Sequence, residues 1–295
     1  MRAAVILALL AATLPAQPVV NKPAQPNKFM EAVGRRAALL GREDGTFEAW
    51  VYPIKVLRDF RLSVYVDDAL EPVGLAALAE TAEVRAGRVT LTHAHAAFTI
   101  RQSWVAAVDR PAAVVLLDID TSRPLKLRAS FTPEMKPMWP ASFGGQATGW
   151  NGKDGVLTFH EGLRRFRPVL GSPAFRRISE QVGHQLPDST IMIEFDVDKS
   201  GRVPIVIAGS RAEYDAAIKS PEELAAASDR HYKSFLNRTL HVEAAGLTEA
   251  FNWAKIAIEK GWACNEGVGC GLVAGWAPSG ASQRPGFGGT SAATP

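Results

Sequence analysis

From Phe29 to Ala208 the chain alternates hydrophobic and polar residues in short runs. Thr46–Tyr52, Phe60–Val66 and Arg88–His93 alternate clearly, and Phe98–Trp104 does so in part. A period of two puts one set of side chains on a buried face and the other toward solvent, so each run predicts a half-buried strand. Ala112–Ile119 is a nearly continuous apolar run, which predicts a central strand covered on both sides. Leu125–Phe131, Ile191–Val197 and Val203–Ala208 add further strands, with turn signals at Asp109–Pro111, Ser122–Pro124 and Lys199–Gly201 between them. Many strands at short spacing predict a mainly β fold, a large antiparallel sandwich rather than a βαβ fold.

Residues 133–187 break this rhythm. Six prolines, Gly144-Gly145, Gly149 and Gly152 predict a long excursion with short strands at most, of the kind that serves function or covers another surface. After Gly209 the period becomes helical. Ser220 reads as an N-cap before Pro221, with Glu222 and Glu223 in the first turn. Leu224, Ser228, His231 and Phe235 mark one face of this helix to about Asn237. Leu247, Ala250, Phe251, Ala254 and Ile258 then recur every three or four residues up to Lys260. Each apolar stripe needs a partner, so these helices read as a linker and the opening of an α-helical domain. Without such partners, residues beyond about Gly246 are expected to be partly disordered.

The first residues are set apart by composition. Arg2, an apolar run over Ala3–Ala12, and Thr13-Leu14-Pro15-Ala16 read as a secretory signal peptide cut near Ala16. The run is too short to cross about 30 Å of hydrocarbon as a helix. Secretion or a periplasmic location is therefore expected, with no membrane attachment after cleavage. The 33 basic and 30 acidic residues are interspersed, which argues against nucleic acid as a partner.

An exported chain lends weight to pairing between Cys264 and Cys270, six residues apart in a Gly-rich loop. Half a metal site or two free thiols are the competing readings. His93 and His95 share a strand face, but no third ligand accompanies them, which favours structural histidines over a metal pair. Asp44-Gly45 reads as a turn and Glu48 as a strand residue, whereas Glu43 and Asp44, being adjacent, make a poor catalytic pair. Arg58-Asp59 is either a local charged pair or a contact across a domain boundary. Trp50 and Tyr52 are more readily core than sugar platforms, and Trp139 and Trp150 are the better platforms. Asn237-Arg238-Thr239 fits a glycosylation sequon that carries little weight here.

The last forty residues set Trp276, Arg284 and Phe287 among Gly, Pro and Ser, as a sugar-binding loop does: aromatic faces stack on rings and Arg donates to hydroxyls. Gly41–Phe60 (GREDGTFEAWVYPIKVLRDF), His93–Gln102, Val114–Pro124, Met138–Pro140, Cys264–Cys270 and Gly271–Gly288 together resemble, in order, the bacterial glycogen-debranching-like glycosidases. These are of the amylo-α-1,6-glucosidase type, in the six-hairpin glycosidase superfamily, and the resemblance spans about Gly34 to Gly288.

The resemblance implies a β-supersandwich, a helical linker and an (α/α) barrel holding the active site. Its boundaries would be a signal peptide at 1–16, a flexible leader at 17–28, the sandwich at 29–209, the linker at 210–245 and the start of the barrel at 246–288. Residues 289–295 read as an out-of-frame tail: permitted codons preceded by one T spell Trp-Tyr-Phe-Gly-Gly-Asp-Ala, the type of sequence with which the family continues. Catalysis would need two carboxylates flanking a glycosidic bond, and the family supplies these from the barrel. The expected function is the N-terminal portion of an exported hydrolase of α-glucans or related oligosaccharides, inactive alone and needing no cofactor. Trp276, Arg284 and Phe287 would then be substrate contacts. The alternative is a free-standing exported carbohydrate-binding sandwich.

Overall fold

The computed structural model describes residues 17–66, 69–137, 145–163, 165–179, 189–265 and 269–273. In chain order the first strands are β1 Val19–Pro23, β2 Phe29–Val33, β3 Ala37–Arg42, β4 Phe47–Val51, β5 Ile54–Tyr65, β6 Val73–Gly74 and β7 Ala79–Arg85. There follow β8 Val89–His95, β9 Phe98–Ala106, β10 Ala112–Thr121, β11 Leu125–Pro137, β12 Gln146–Asn151 and β13 Val156–Glu161. The sandwich closes with β14 Val169–Gly171, β15 Arg177–Ile178, β16 Ile191–Val197 and β17 Gly201–Ala208. Helices α1 Arg211–Lys219, α2 Pro221–Arg238 and α3 Thr248–Lys260 come next, then a hairpin of β18 Trp262–Asn265 and β19 Gly269–Leu272.

The fold is mainly β, and among the described residues it is built on two large antiparallel sheets. One runs β1-β7-β8-β9-β10-β17-β14-β13-β12. The other runs β15-β16-β11-β5-β4-β3-β2, with β6 against β5. Inward-facing side chains of both sheets form one core, crossed by a file of rings: Trp104 on Phe47 (5.0 Å), Phe47 on Phe60 (4.5 Å), Phe60 on Phe131 (6.1 Å) and Phe131 on Phe159 (6.2 Å). Such offset and edge contacts add to what burial of the rings already contributes. The apolar run on β10 is buried from both sides, as its sequence predicts. Ala113, Val115 and Leu117 face the inter-sheet core. Val114 and Leu116 face outward, beneath Tyr214 and Ala217 of α1 and Leu224 of α2.

Five points depart from expectation. The leader contains a strand, since β1 pairs with β7 from Val19↔Arg85 to Pro23↔Thr81 and edges the first sheet. β4 has no wet face: all five of its residues are buried, as are those of β3 from Ala37 to Gly41. α1 was not anticipated; Ser210 caps it, accepting from the Glu213 amide at 3.2 Å. Ser220 does precede α2, but its backbone carbonyl rather than its side chain accepts the Glu223 amide (3.1 Å). Finally, α3 is folded against the sandwich by the face opposite the predicted stripe. Asn252, Lys255, Ile256 and Lys260 are buried, whereas Leu247 and Ile258 are 60% and 65% exposed. Ile256 packs with Ala86, Tyr232 and Leu236. None of the described helices is long and apolar enough to cross a membrane.

Candidate functional site on the outer face of the eight-stranded sheet

Two stretches that are far apart in sequence meet on the outer face of the second sheet. Ala263 of β18 and the following Val273 pack on Val33, Ala38, Leu40, Trp50 and Tyr52. The Cys264 amide donates to the Arg35 carbonyl at 2.7 Å. Cys264 and Cys270 sit directly opposite each other across the hairpin and form a disulfide with an S–S distance of 2.10 Å. The segment Gly41–Phe60 and the segment opening at Cys264 are therefore neighbours, and this contact covers Trp50 on the outer face of β4.

Beside this contact lies a cluster of charges on outward positions of β4, β5 and β11. Lys55 is fully buried and Glu48 nearly so. Lys55 Nζ lies 3.3 Å from Glu48 Oε2 and 5.3 Å from the centre of the Trp50 ring, while Trp50 Nε1 donates to Glu48 Oε1 at 2.9 Å. Burial lowers the Lys55 pKa against the pull of Glu48 and Glu134. Arg58 Nε donates to Glu134 Oε2 at 2.8 Å, and Arg58 also pairs with Asp59. Burial raises the Glu134 pKa, with Lys55, Arg58 and Lys136 opposing the rise. Two departures from regular strand geometry frame the cluster. Asp59 (φ 55°) and Met135 (φ 40°) take left-handed backbone conformations, and the β5–β11 register shifts between Ser130 and Thr132 and between Pro133 and Lys136. Bulges and such residues recur where a sheet re-aims side chains for function.

A second polar centre lies further along the same face, in a groove of about 700 Å³. Glu194 of β16 accepts from Tyr65 Oη and Arg128 Nη2 (both 3.0 Å) and pairs with Lys126 Nζ (2.8 Å). Partial burial alone would raise its pKa. Hydrogen bonds from Lys126, Arg128 and Tyr65 outweigh that and bring it down to about 2. A carboxylate held so firmly ionised braces three strands and is no proton donor.

The other candidates find structural work. Glu43 is buried, pairs with Lys22 of β1 and accepts the Gln25 amide at 2.9 Å, tying the leader to the β3–β4 turn. Asp44 Oδ1 accepts the Thr46 amide at 2.8 Å, and Gly45 (φ 86°) completes the predicted turn. His93 is buried, with Nδ1 2.8 Å from the Leu75 carbonyl and Nε2 3.1 Å from Gln102 Oε1, and Gln102 Nε2 donates to the Gly45 carbonyl (3.2 Å). His95 stacks on Phe98 at 4.9 Å. Both histidines thus have structural surroundings. Trp150 packs partly against the core from β12. Trp139, Trp276, Arg284 and Phe287 lie outside the described residues. The sequence reading missed Lys55, Glu134, Glu194 and Glu161; the Glu161 carboxylate collects the amides of Leu163, Arg165 and Phe166. A lone Lys or Glu at an outward strand position looks like part of a wet face, and only the tertiary cover distinguishes it.

No family model matches the sequence, and no curated protein does either. Solved structures do match. A bacterial glucoamylase in complex with acarbose superposes with a TM-score of 0.57 at 11% identity, over 83% of this chain and 43% of that one. A putative aldose 1-epimerase from Escherichia coli gives a TM-score of 0.42 at 8% identity, over 61% of this chain and 98% of that one. A family GH92 α-mannosidase from Bacteroides thetaiotaomicron gives 0.30 at 9%, over 87% and 41%. At such identities the likeness concerns the fold alone. The chain shares its fold with that part of the glucoamylase, and it spans less than half of the glucoamylase's length.

Proposed function

We propose that this chain is the N-terminal sandwich, linker and first barrel helix of an exported glycoside hydrolase of glycogen-debranching type, acting on α-glucans or related oligosaccharides. The observation that carries this reading is the superposition on a bacterial glucoamylase complexed with acarbose, which takes in 83% of the chain. The exposed stripe of α3, with Leu247 and Ile258 facing outward, suits a helix that packs further helices on that side. The carboxylates of the described site support the division of labour. Glu48 and Glu134 are engaged by Lys55 and Arg58, and Glu194 is held ionised, so turnover is assigned to the barrel portion.

The test is hydrolysis of α-1,6- and α-1,4-linked glucans by this chain and by a polypeptide joining the same sandwich to a barrel portion. Turnover is expected only from the second. Robust turnover by this chain, abolished by Glu134→Gln or Glu48→Gln in a variant that still folds, would refute the assignment.

A further inference from the structure

Between the β3–β4 hairpin and the bulged start of β5 lies a small cavity of about 140 Å³, on the scale of one pyranose ring. Arg42, Thr46, Glu48, Arg58 and Asp59 contribute its polar lining. The charged residues of this wall balance: two arginines and two carboxylates line it. An anion would meet Glu48 and Asp59, and a cation would meet Arg42 and Arg58. The lining therefore suits a neutral ligand that both donates and accepts hydrogen bonds. Asp59 is 45% exposed on its side chain and accepts from Arg58, so carboxylate and guanidinium stand side by side. Arg42 donates to the Asn27 carbonyl at 3.3 Å. The Thr46 hydroxyl gives its proton to Asp44 Oδ1 at 2.6 Å, which leaves its lone pairs as acceptors. Adjacent sugar hydroxyls need this combination: a carboxylate to accept from them and a guanidinium to donate to them.

Asp59 also has a backbone cost. At φ 55° an aspartate is tolerated better than most residues, yet glycine would sit there with less strain. Strain kept at a cavity wall points to work done by that side chain.

We propose that this cavity is a subsite for a single neutral hexose unit, whose vicinal hydroxyls are gripped between Asp59 and the guanidinium groups of Arg58 and Arg42. Its carbohydrate character rests on the functional reading above, whereas its position rests on the cavity and its lining. The test is a ¹⁵N NMR titration of the whole chain with glucose, mannose and galactose, with maltotriose and inorganic phosphate alongside. At least one hexose should shift the amides of Gly41–Phe47 and Arg58–Phe60. Asp59→Gly should weaken that binding about tenfold or more, the loss of a charge-assisted contact, without lowering the melting temperature. Asp59→Asn, which tolerates the same backbone, should bind at an intermediate level. Unchanged affinity in Asp59→Gly overturns the proposal, as do stronger shifts at these residues with phosphate. Saccharide shifts confined to another surface overturn the subsite and leave the carbohydrate reading standing. The absence of shifts with any saccharide defeats both.

Discussion

Arg35 and Glu259 join the sandwich to α3: Arg35 Nη2 donates to Glu259 Oε1 at 2.7 Å from the turn between β2 and β3. The same oxygen lies 2.9 Å from His231 Nε2 of α2. Sheet, linker helix and α3 thus converge on one carboxylate oxygen, and the next residue of α3 adds a second tie, Lys260 Nζ reaching Glu31 Oε1 of β2 at 3.3 Å. The orientation of α3, and of any helices packed on its outer stripe, depends on this junction.

Removing that carboxylate should loosen α3 while the sandwich stays folded. Glu259→Ala leaves Arg35 without its partly buried partner, at a cost of about 1–3 kcal/mol to local docking. Hydrogen exchange should speed up across Thr248–Lys260 and remain unchanged across β9 and β10. Unchanged exchange in α3 would show that the docking is carried by Ile256 and its apolar neighbours alone.

His93 should make stability pH-dependent below neutrality. Burial lowers its pKa below the ordinary 6.5, although the Leu75 carbonyl and Gln102 Oε1, as acceptors beside its ring nitrogens, act in the opposite direction. Below about pH 6.5 an unfolded chain therefore takes up a proton that the folded chain refuses. Stability is fully present above that pH and declines as the pH falls through and below it. Urea unfolding of wild type and His93→Gln at pH 7.5 and 5.5 checks this. The variant should lose less stability between the two, by up to about 1.4 kcal/mol per pH unit.

The reach of the sequence is clearest where burial leaves its own pattern. Ala112–Ile119 announced a strand covered on both faces because a solvated face would have required polar residues. Thr46–Tyr52 gave the two faces of β4 correctly but not their environment, since Trp50 and Tyr52 are covered by Ala263 and Val273, more than 200 positions away in sequence. In α3 the helical period was visible, yet it selected the outward stripe. The inward face carries Asn252, Lys255 and Lys260, and the two ammonium groups find their partners only in the folded chain: the Leu240 carbonyl for Lys255 (2.8 Å) and Glu31 for Lys260 (3.3 Å). Val19–Pro23 looked like a leader because a short edge strand with a terminal proline has little local signal. Asp44-Gly45 was legible as a turn, and so was the preference for structural histidines at His93 and His95. The cluster of Lys55, Arg58 and Glu134 was not, because a charge on a strand reveals its burial only through what lies over it.

Glu194 should matter most in acid. Its pKa of about 2 lies below the ordinary 4.5, so its contribution is present above about pH 4.5 and is lost as the pH falls toward 2. Glu194→Gln should destabilise the wild-type fold at pH 7 by about 1–3 kcal/mol, leaving Lys126 and Arg128 facing an amide. The difference between the two proteins should shrink at pH 3. A constant difference across that range would mean that the carboxylate contributes by packing rather than by charge.

The buried pair of Lys55 and Glu48 separates what a charge contributes from what its removal costs. Both side chains are nearly inaccessible, with Trp50 Nε1 holding the other Glu48 oxygen. Lys55→Met would leave Glu48 buried without that cation, and breaking a buried pair from one side costs about 3–5 kcal/mol. Converting both, in Lys55→Met with Glu48→Gln, removes the two charges and keeps an acceptor for the indole. The double variant should therefore be more stable than Lys55→Met alone, and a double-mutant cycle by denaturant unfolding measures the coupling. Additive losses would show that each charge is held by other neighbours, with Glu134 as the natural second partner of Lys55.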